Sequence, residues 1–261
     1  FGSDTYASIY QSAGENPLTW SEELSAGRDF GMNLYENLQY VRPDCRMEDG
    51  DWRSFRALGQ IAGKHRQVFM PGMLIGQNVA IGEAALAQQS ALCSDYARQF
   101  RDTPALLYYL NGDYQLNPAE HPAEVTALWN DWLKARYGTL DRLREAWGAD
   151  AVRAPWGKIA FPPPNSGRWD DRAATDRFRF LNWLMLRWNQ AHVKAVRQHD
   201  REHPITSEYY STPFGGIDLV GTIDGQDVAN IGFFERPTVD LDELPLRIRW
   251  NDLRLRGKGV S

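Results

Sequence analysis

Short β-rich runs alternate with stretches of helical period along almost the whole sequence, and few folds accept that order. Tyr6–Tyr10 reads as a weak first strand, with a helix over Pro17–Arg28 behind it. Met32–Val41 is strand-like, and Trp52–Lys64 is helical, with Phe55, Leu58 and Ile61 on one side. Val68–Ile75 is a third strand, and Glu83–Phe100 a third helix carrying Leu86, Leu92 and Tyr96. Ala105–Leu110 is an unbroken apolar run behind Pro104, the pattern of a parallel strand buried on both faces. A helical insertion, from about Ala123 to Gly148, and a proline-rich loop, Pro162–Gly167, then interrupt the alternation. Asp170 and Asp171 are placed to cap the longest helix, Arg172–Glu202. Ile205–Tyr209 and Val228–Phe233 are the fifth and sixth strands, and a last helix, Asp242–Arg256, is closed by Gly257 and Gly259.

Strands that alternate with helices imply a parallel sheet with right-handed crossovers. Both a (β/α)8 barrel and a doubly wound sheet satisfy this order. No glycine-rich phosphate fingerprint follows an early strand, which favours the barrel. The expected fold class is therefore α/β, a (β/α)8 TIM-type barrel forming one domain over 1–261, with a helical insertion at about 112–170. About six strands are counted, and Gly259-Val260-Ser261 resembles the start of a seventh. Six strands cannot close an eight-stranded wall, so the barrel is expected to lack its last two βα units.

Composition excludes several classes. The chain carries 29 Lys+Arg against 34 Asp+Glu, a formal charge of −5, with no basic cluster, so neither nucleic acid nor an anionic membrane surface is expected as a partner. No run of about 18 apolar residues occurs, so no membrane-spanning helix is expected. Cys45 and Cys93 are too few for a disulfide scaffold; they form one bridge or remain two buried thiols. The five histidines show no metal-ligand spacing, and His199 and His203 fall in a charged QHDREH segment that reads as solvated surface. No Gly-x-Ser-x-Gly nucleophile motif appears. No metal or cofactor is expected. Ten Trp, 11 Tyr and 11 Phe supply bulky core and flat apolar faces of the kind that sugar rings stack on. The compartment stays open between cytoplasm and secretion.

One segment carries a pattern more specific than these. Trp129, Trp132 and Leu133 are followed by Tyr137-Gly138 and Leu140, then by Ala146-Trp147-Gly148, Trp156, Ile159 and Pro162. The pattern resumes in the helix around Phe178 and in His203-Pro204-Ile205-Thr206. This resembles the family-42 glycoside hydrolases, β-galactosidase-like enzymes on a (β/α)8 barrel. The resemblance implies a retaining glycosidase acting on a β-galactoside or related β-glycoside, with a carbohydrate as its partner. It also implies a fourth strand ending in Asn-Glu, whose Glu is the acid/base, and a nucleophilic Glu on the seventh strand. Here Asn111 matches, Gly112 stands where that Glu would be, and Asp113 comes one residue later. The nucleophile is expected beyond Ser261. An inactive carbohydrate-binding or scaffold barrel is the competing expectation, and a homo-oligomer or second polypeptide completing the wall is compatible with either.

Retaining hydrolysis needs two carboxyl groups about 5–5.5 Å apart, and a barrel supplies them at strand C-terminal ends. Asp113 after the fourth strand and Glu208 at the end of the fifth are the candidate catalytic acids. Asn-Gly-Asp is also ordinary turn chemistry, and Glu208 would equally serve an ion pair. Glu235, after the sixth strand and before Arg236-Pro237, is a candidate substrate contact or a surface ion pair. Asn111 is placed to hydrogen-bond a sugar hydroxyl, Tyr209 to stack on a ring, and Arg42 to hold a carboxylate bidentately. Asn111, Asp113, Glu208 and Glu235 are expected at one rim, where crowding would raise the pKa of at least one acid.

Overall fold

The computed structural model describes residues 2–5, 17–38, 41–112, 114–164, 170–210, 217–232, 243–255 and 259–260. Its strands are β1 (Gly2–Thr5), β2 (Leu34–Asn37), β3 (Val68–Pro71), β4 (Tyr108–Tyr109), β5 (Ile205–Thr206), β6 (Glu208–Tyr210), β7 (Val228–Gly232) and β8 (Gly259–Val260). Its helices are α1 (Pro17–Asp29), α2 (Asp49–Lys64), α3 (Glu83–Phe100), α4 (Pro122–Tyr137), α5 (Leu140–Trp147), α6 (Arg172–Arg197), α7 (Leu219–Thr222) and α8 (Glu243–Arg254). Single 3-10 turns lie at Pro118–Glu120 and Ala149–Ala151.

All strand pairs among the described residues are parallel, as the alternation predicts. Gly2 pairs with Leu34, Leu34 with Val68, and bridges at Phe69–Leu106 and Gly72–Tyr109 carry the wall on to β4. Tyr108 then pairs with Ile205, Glu208 with Asn230, and Val228 with Gly259. β5 and β6 occupy one position in the wall, separated at Ser207. The described residues thus build seven strand positions in sequence order, and β8 stands where the entry to a seventh strand is expected. Among the described residues, β1 and β8 are the two ends of this ladder.

The boundaries differ from the sequence reading in instructive ways. The first strand is Gly2–Thr5, while the expected Tyr6–Tyr10 lies outside the described residues. GSDT carries little β propensity of its own, and its extended form is fixed by pairing to β2. The third strand stops at Pro71 rather than Ile75. Beyond it, loop amides bond outward to neighbouring strand ends: Gly72 N to Asn37 O at 2.8 Å, Met73 N to Tyr109 O at 2.9 Å, and Gly76 N to Gly112 O at 2.9 Å. The insertion splits at Gly138, whose φ of 73° is open to glycine at low cost.

The longest helix starts as expected, with the Asp171 carboxylate accepting from Ala174 N at 3.1 Å, but it ends at Arg197. The reason is Asp200. Its side chain accepts from the backbone N–H groups of Glu202 and His203, at 3.0 and 3.1 Å, which turns the chain away from helix. QHDREH is therefore not all solvated surface: Asp200 is buried and also accepts from the Tyr108 hydroxyl at 2.9 Å and contacts His203 Nδ1 at 2.7 Å. Burial alone would raise its pKa, but the bonds from His203, the Glu202 and His203 amides and Tyr108 hold it below the usual carboxylate value.

Cores form on both sides of the wall. Outside it, α2, α3 and α6 pack Phe55, Leu58, Tyr96, Phe100, Trp188 and Val196 against Tyr35, Phe69, Tyr108 and Ile205. Inside, Met70, Ile75, Leu107 and Tyr109 form a separate cluster with Leu34, Leu38 and Val68 against it. Cys45 and Cys93 are both buried and unbridged, which settles the open alternative. Helix α8 leaves Leu246, Trp250 and Leu253 exposed, an i, i+4, i+7 row. No helix among the described residues is long and apolar enough to cross a membrane.

His192, on the inner side of α6, is wholly buried, its ring 5.0 Å from that of Trp188. Neither ring nitrogen has a partner among the described residues, and burial lowers its pKa to about 3. The ordinary value is 6.5, so between these limits the unfolded chain holds a proton that the folded chain refuses. Stability is therefore intact above about pH 6.5 and should fall by about 1.4 kcal/mol per pH unit as the pH drops toward 3. Urea unfolding across pH 4–8 is expected to show this slope, and His192→Leu, close in volume, is expected to flatten it. An unchanged slope in that variant would assign the acid sensitivity elsewhere.

Candidate active site

The wall brings the C-terminal ends of β4 and β5 together with the loop after β3. Glu208 begins β6, and its N–H donates to Asn111 O at 3.1 Å, so the residues after β4 and the carboxyl of β6 share one rim. The Glu208 carbonyl accepts from the Tyr114 hydroxyl at 3.1 Å, which pins the strand from the far side of the β4 loop. Glu208 is only 7% exposed. A carboxyl so withdrawn from water at a strand end is an unusual expense for a merely structural role.

Gly112 lies directly against this carboxyl. A Cβ built on Gly112 would stand 2.6 Å from the Tyr109 hydroxyl, 2.9 Å from Glu208 Oε2 and 3.1 Å from Ile75 Cδ1. The carboxyl and phenol of neighbouring strands therefore fill the volume where a side chain from position 112 would begin. The amide side of the same loop is held by the bond from Gly76 N to Gly112 O.

Of the residues expected at this rim, Asn111 and Glu208 are brought together. Asn111 is completely buried, however, and its Nδ2 donates to Asn189 Oδ1 on α6 at 3.0 Å; it joins the strand end to the helix layer. Its Oδ1 has no partner among the described residues. Arg42 follows β2 and is half-exposed, with Nη1 2.8 Å from Glu48 Oε1 and Nη2 3.7 Å from Asp51 Oδ2, so carboxylates at the start of α2 engage it. Asp113, Glu235 and the Tyr209 side chain lie outside the described residues.

Two nearby groups escaped the sequence reading. Tyr109 lies inside ALLYYL, where every position is apolar and no alternation reveals which side chains face inward. Glu36 follows Leu34 by two and stands opposite Met70 in the parallel register, so it lies on the inner face with Leu34, Met70 and Leu107. Alternation in LYEN is the signal that would have found it. Among the described residues no group of three His, Cys, Asp or Glu could hold a metal ion. A cleft of about 570 Å3 is lined by Leu116, Pro118, Val125, Phe161, Pro164 and Arg177, and neither Gly112 nor Glu208 lines it.

The tryptophan-rich insertion is a core of its own. Trp129 is fully buried among Trp132, Trp147, Phe161 and Phe180, with ring centroids 5.2–5.8 Å away. Asn130 accepts from Gly157 N and Ile159 N and donates to Ile159 O, which ties the Pro-rich approach to α4. The Tyr137 hydroxyl and Trp147 Nε1 both donate to Asp176 Oδ2 on α6. The Tyr-Gly…Trp-Gly spacing noticed in the sequence is thus a lock between insertion and barrel.

The parallel ladder and its outer helices define a (β/α)8-type barrel, the fold of the solved structures on which the chain superposes. The β-galactosidase profile of glycoside hydrolase family 42 matches residues 80–252, and the chain belongs to that family. β-Galactosidase YesZ of Bacillus subtilis is 41% identical over 56 residues, 21% of this chain and 8% of that protein. β-Galactosidase LacZ of Lactobacillus acidophilus is 22% identical over 161 residues, 57% of this chain and 24% of that protein. Among solved structures, the β-galactosidase of Bacillus circulans sp. alkalophilus superposes with a TM-score of 0.76 at 12% identity, over 96% of this chain and 42% of the other. The chain spans less than half the length of these relatives. The catalytic domain of β-amylase from Paenibacillus polymyxa shares the fold as well, with a TM-score of 0.67 at 11% identity, so the fold does not select the glycoside.

Proposed function

We propose that this protein is a retaining glycoside hydrolase acting on β-galactosides or related β-glycosides, one barrel unit with a helical insertion at about 112–170. Glu208 is its proton donor. The observation that carries this reading is the burial of Glu208 at the strand-end rim, against Gly112 and Tyr109. The family match supports the substrate class.

In the first half-reaction the glycosidic C–O bond breaks and its electron pair passes to the departing oxygen, which takes the Glu208 proton. A second carboxylate from a neighbouring strand end bonds to the anomeric carbon. In the second half, Glu208, now ionised, takes a proton from water as the water oxygen replaces that carboxylate. Asp113, one residue beyond Gly112, is the alternative donor. Asn111 joins the end of β4 to α6, Arg42 engages the start of α2, and Glu235 and Tyr209 supply sugar contacts in this proposal.

The full-length protein incubated with nitrophenyl β-galactoside, β-glucoside and α-galactoside is expected to release nitrophenol fastest from the β-galactoside. Proton NMR of the first product should show the β-anomer. An α-anomer would sink the retaining mechanism, and preference for the α-galactoside would sink the substrate class. Sugar binding without turnover would instead establish the inactive carbohydrate-binding barrel.

A further inference from the structure

Gly112 does not need to be glycine for its backbone. The left-handed glycines of the described chain are Gly31, Gly76, Gly138, Gly148, Gly157 and Gly225, and Gly112 is not among them. What a side chain would lack there is space. Its Cβ would fall 2.6 Å from the Tyr109 hydroxyl and 2.9 Å from Glu208 Oε2, both closer than carbon and oxygen approach without bonding.

The backbone around the position has little freedom to yield. Gly112 O accepts from Gly76 N at 2.9 Å on one side, and Asn111 O accepts from Glu208 N at 3.1 Å on the other. Ile75 Cδ1 closes a third direction at 3.1 Å from the same point, within the inner apolar cluster. The Glu208 main chain is itself fixed by Tyr114 through its carbonyl. With both backbones held, an added methyl group must displace either the carboxyl or the phenol.

We infer that Gly112 is a positioning residue for the acid of this site: by carrying no side chain it leaves the seat that the Glu208 carboxyl occupies beside the Tyr109 hydroxyl. The acid is thereby delivered from β6 into space belonging to the end of β4. The inference rests on Glu208 being the proton donor proposed above, but the seat itself is a geometric fact that can be read without turnover.

The test compares the full chain with Gly112→Ala and with Tyr109→Phe/Gly112→Ala. The 13C carboxyl resonance of Glu208, assigned by its loss in Glu208→Gln, reports the seat directly. In Gly112→Ala its titration midpoint is expected to move by about half a pH unit or more. On a β-galactoside with a poor leaving group, kcat is expected to fall by about 10- to 100-fold with little change in KM, and the acid–base limb of the pH profile should move with the resonance. Tyr109→Phe/Gly112→Ala removes the nearest clashing atom and is expected to recover part of the loss; it also carries the measurement if the single variant does not fold. A shifted resonance in a protein with no galactoside turnover would reject the enzymatic reading and keep the seat. An unshifted resonance and unchanged pH profile in a folded, active Gly112→Ala protein would overturn the inference.

Discussion

Glu208→Gln is expected to lower kcat on an unactivated β-galactoside by about 10²–10⁴-fold, the usual worth of a positioned general acid. Glutamine keeps the shape of the side chain and removes its transferable proton. The backbone bonds to Asn111 O and from the Tyr114 hydroxyl do not involve the replaced group and stay in place. Leaving-group dependence is the sharper readout. A dinitrophenyl group departs without protonation, so its release should lose far less than that of an alkyl glycoside. Added azide should rescue the second half-reaction by replacing water, which needs a base, with an anion that needs none. Turnover of the alkyl glycoside within about threefold of the parent would remove Glu208 from proton transfer and move the role to Asp113, tested by Asp113→Asn.

Asp176→Ala is expected to destabilise the protein by about 3–5 kcal/mol, the cost of breaking a buried charged network from one side. Asp176 is 1% exposed and is met by four donors from three elements. Tyr137 and Trp147 donate to one carboxylate oxygen; Arg136 and Arg179 approach the other at 3.3 and 3.2 Å. Removing the acceptor leaves a phenol and an indole N–H without a buried partner and two guanidinium groups without their counter-charge. Chain of this size loses about 2–4 °C per kcal/mol, so a fall of roughly 10 °C in Tm is expected. Asp176→Asn, which keeps the volume and one acceptor, should cost less. Tyr137→Phe combined with Asp176→Ala should cost less than the sum of the two, because they share one bond. A Tm within 2 °C of the parent in Asp176→Ala would show that the insertion is held by its aromatic core alone.

How much of this was legible in the sequence varies from element to element. Glu83–Phe100 appears as read because its apolar positions repeat at helical spacing. Val228–Phe233 and Ala105–Leu110 were legible as strands; in the second the regular strand is Tyr108–Tyr109, and Ala105, Leu107 and Leu110 also bond across the wall. The site was legible in part. Asn111 announces itself by standing just past an apolar run, and Glu208 by standing in the short β-rich run ITSEYY, where a barrel gathers its polar groups. Tyr109 does not, because an apolar run carries no mark of which side faces inward.

The order of strands and helices, their parallel pairing and the motif of the insertion were determined by the sequence alone, because hydrophobic period and capping chemistry act over a few residues. Tertiary structure decided what those motifs do. Tyr137 and Trp147 are ten residues apart and meet at Asp176, on another helix. Asp200 is a charged residue in a charged segment and becomes buried because Tyr108 reaches it from 92 positions away. Gly112 reads as a turn until Glu208, from a different strand, is found to fill the space beside it. Contacts of this kind join segments separated by long stretches of chain, and no local pattern encodes them; they follow from the wall that brings the strand ends together.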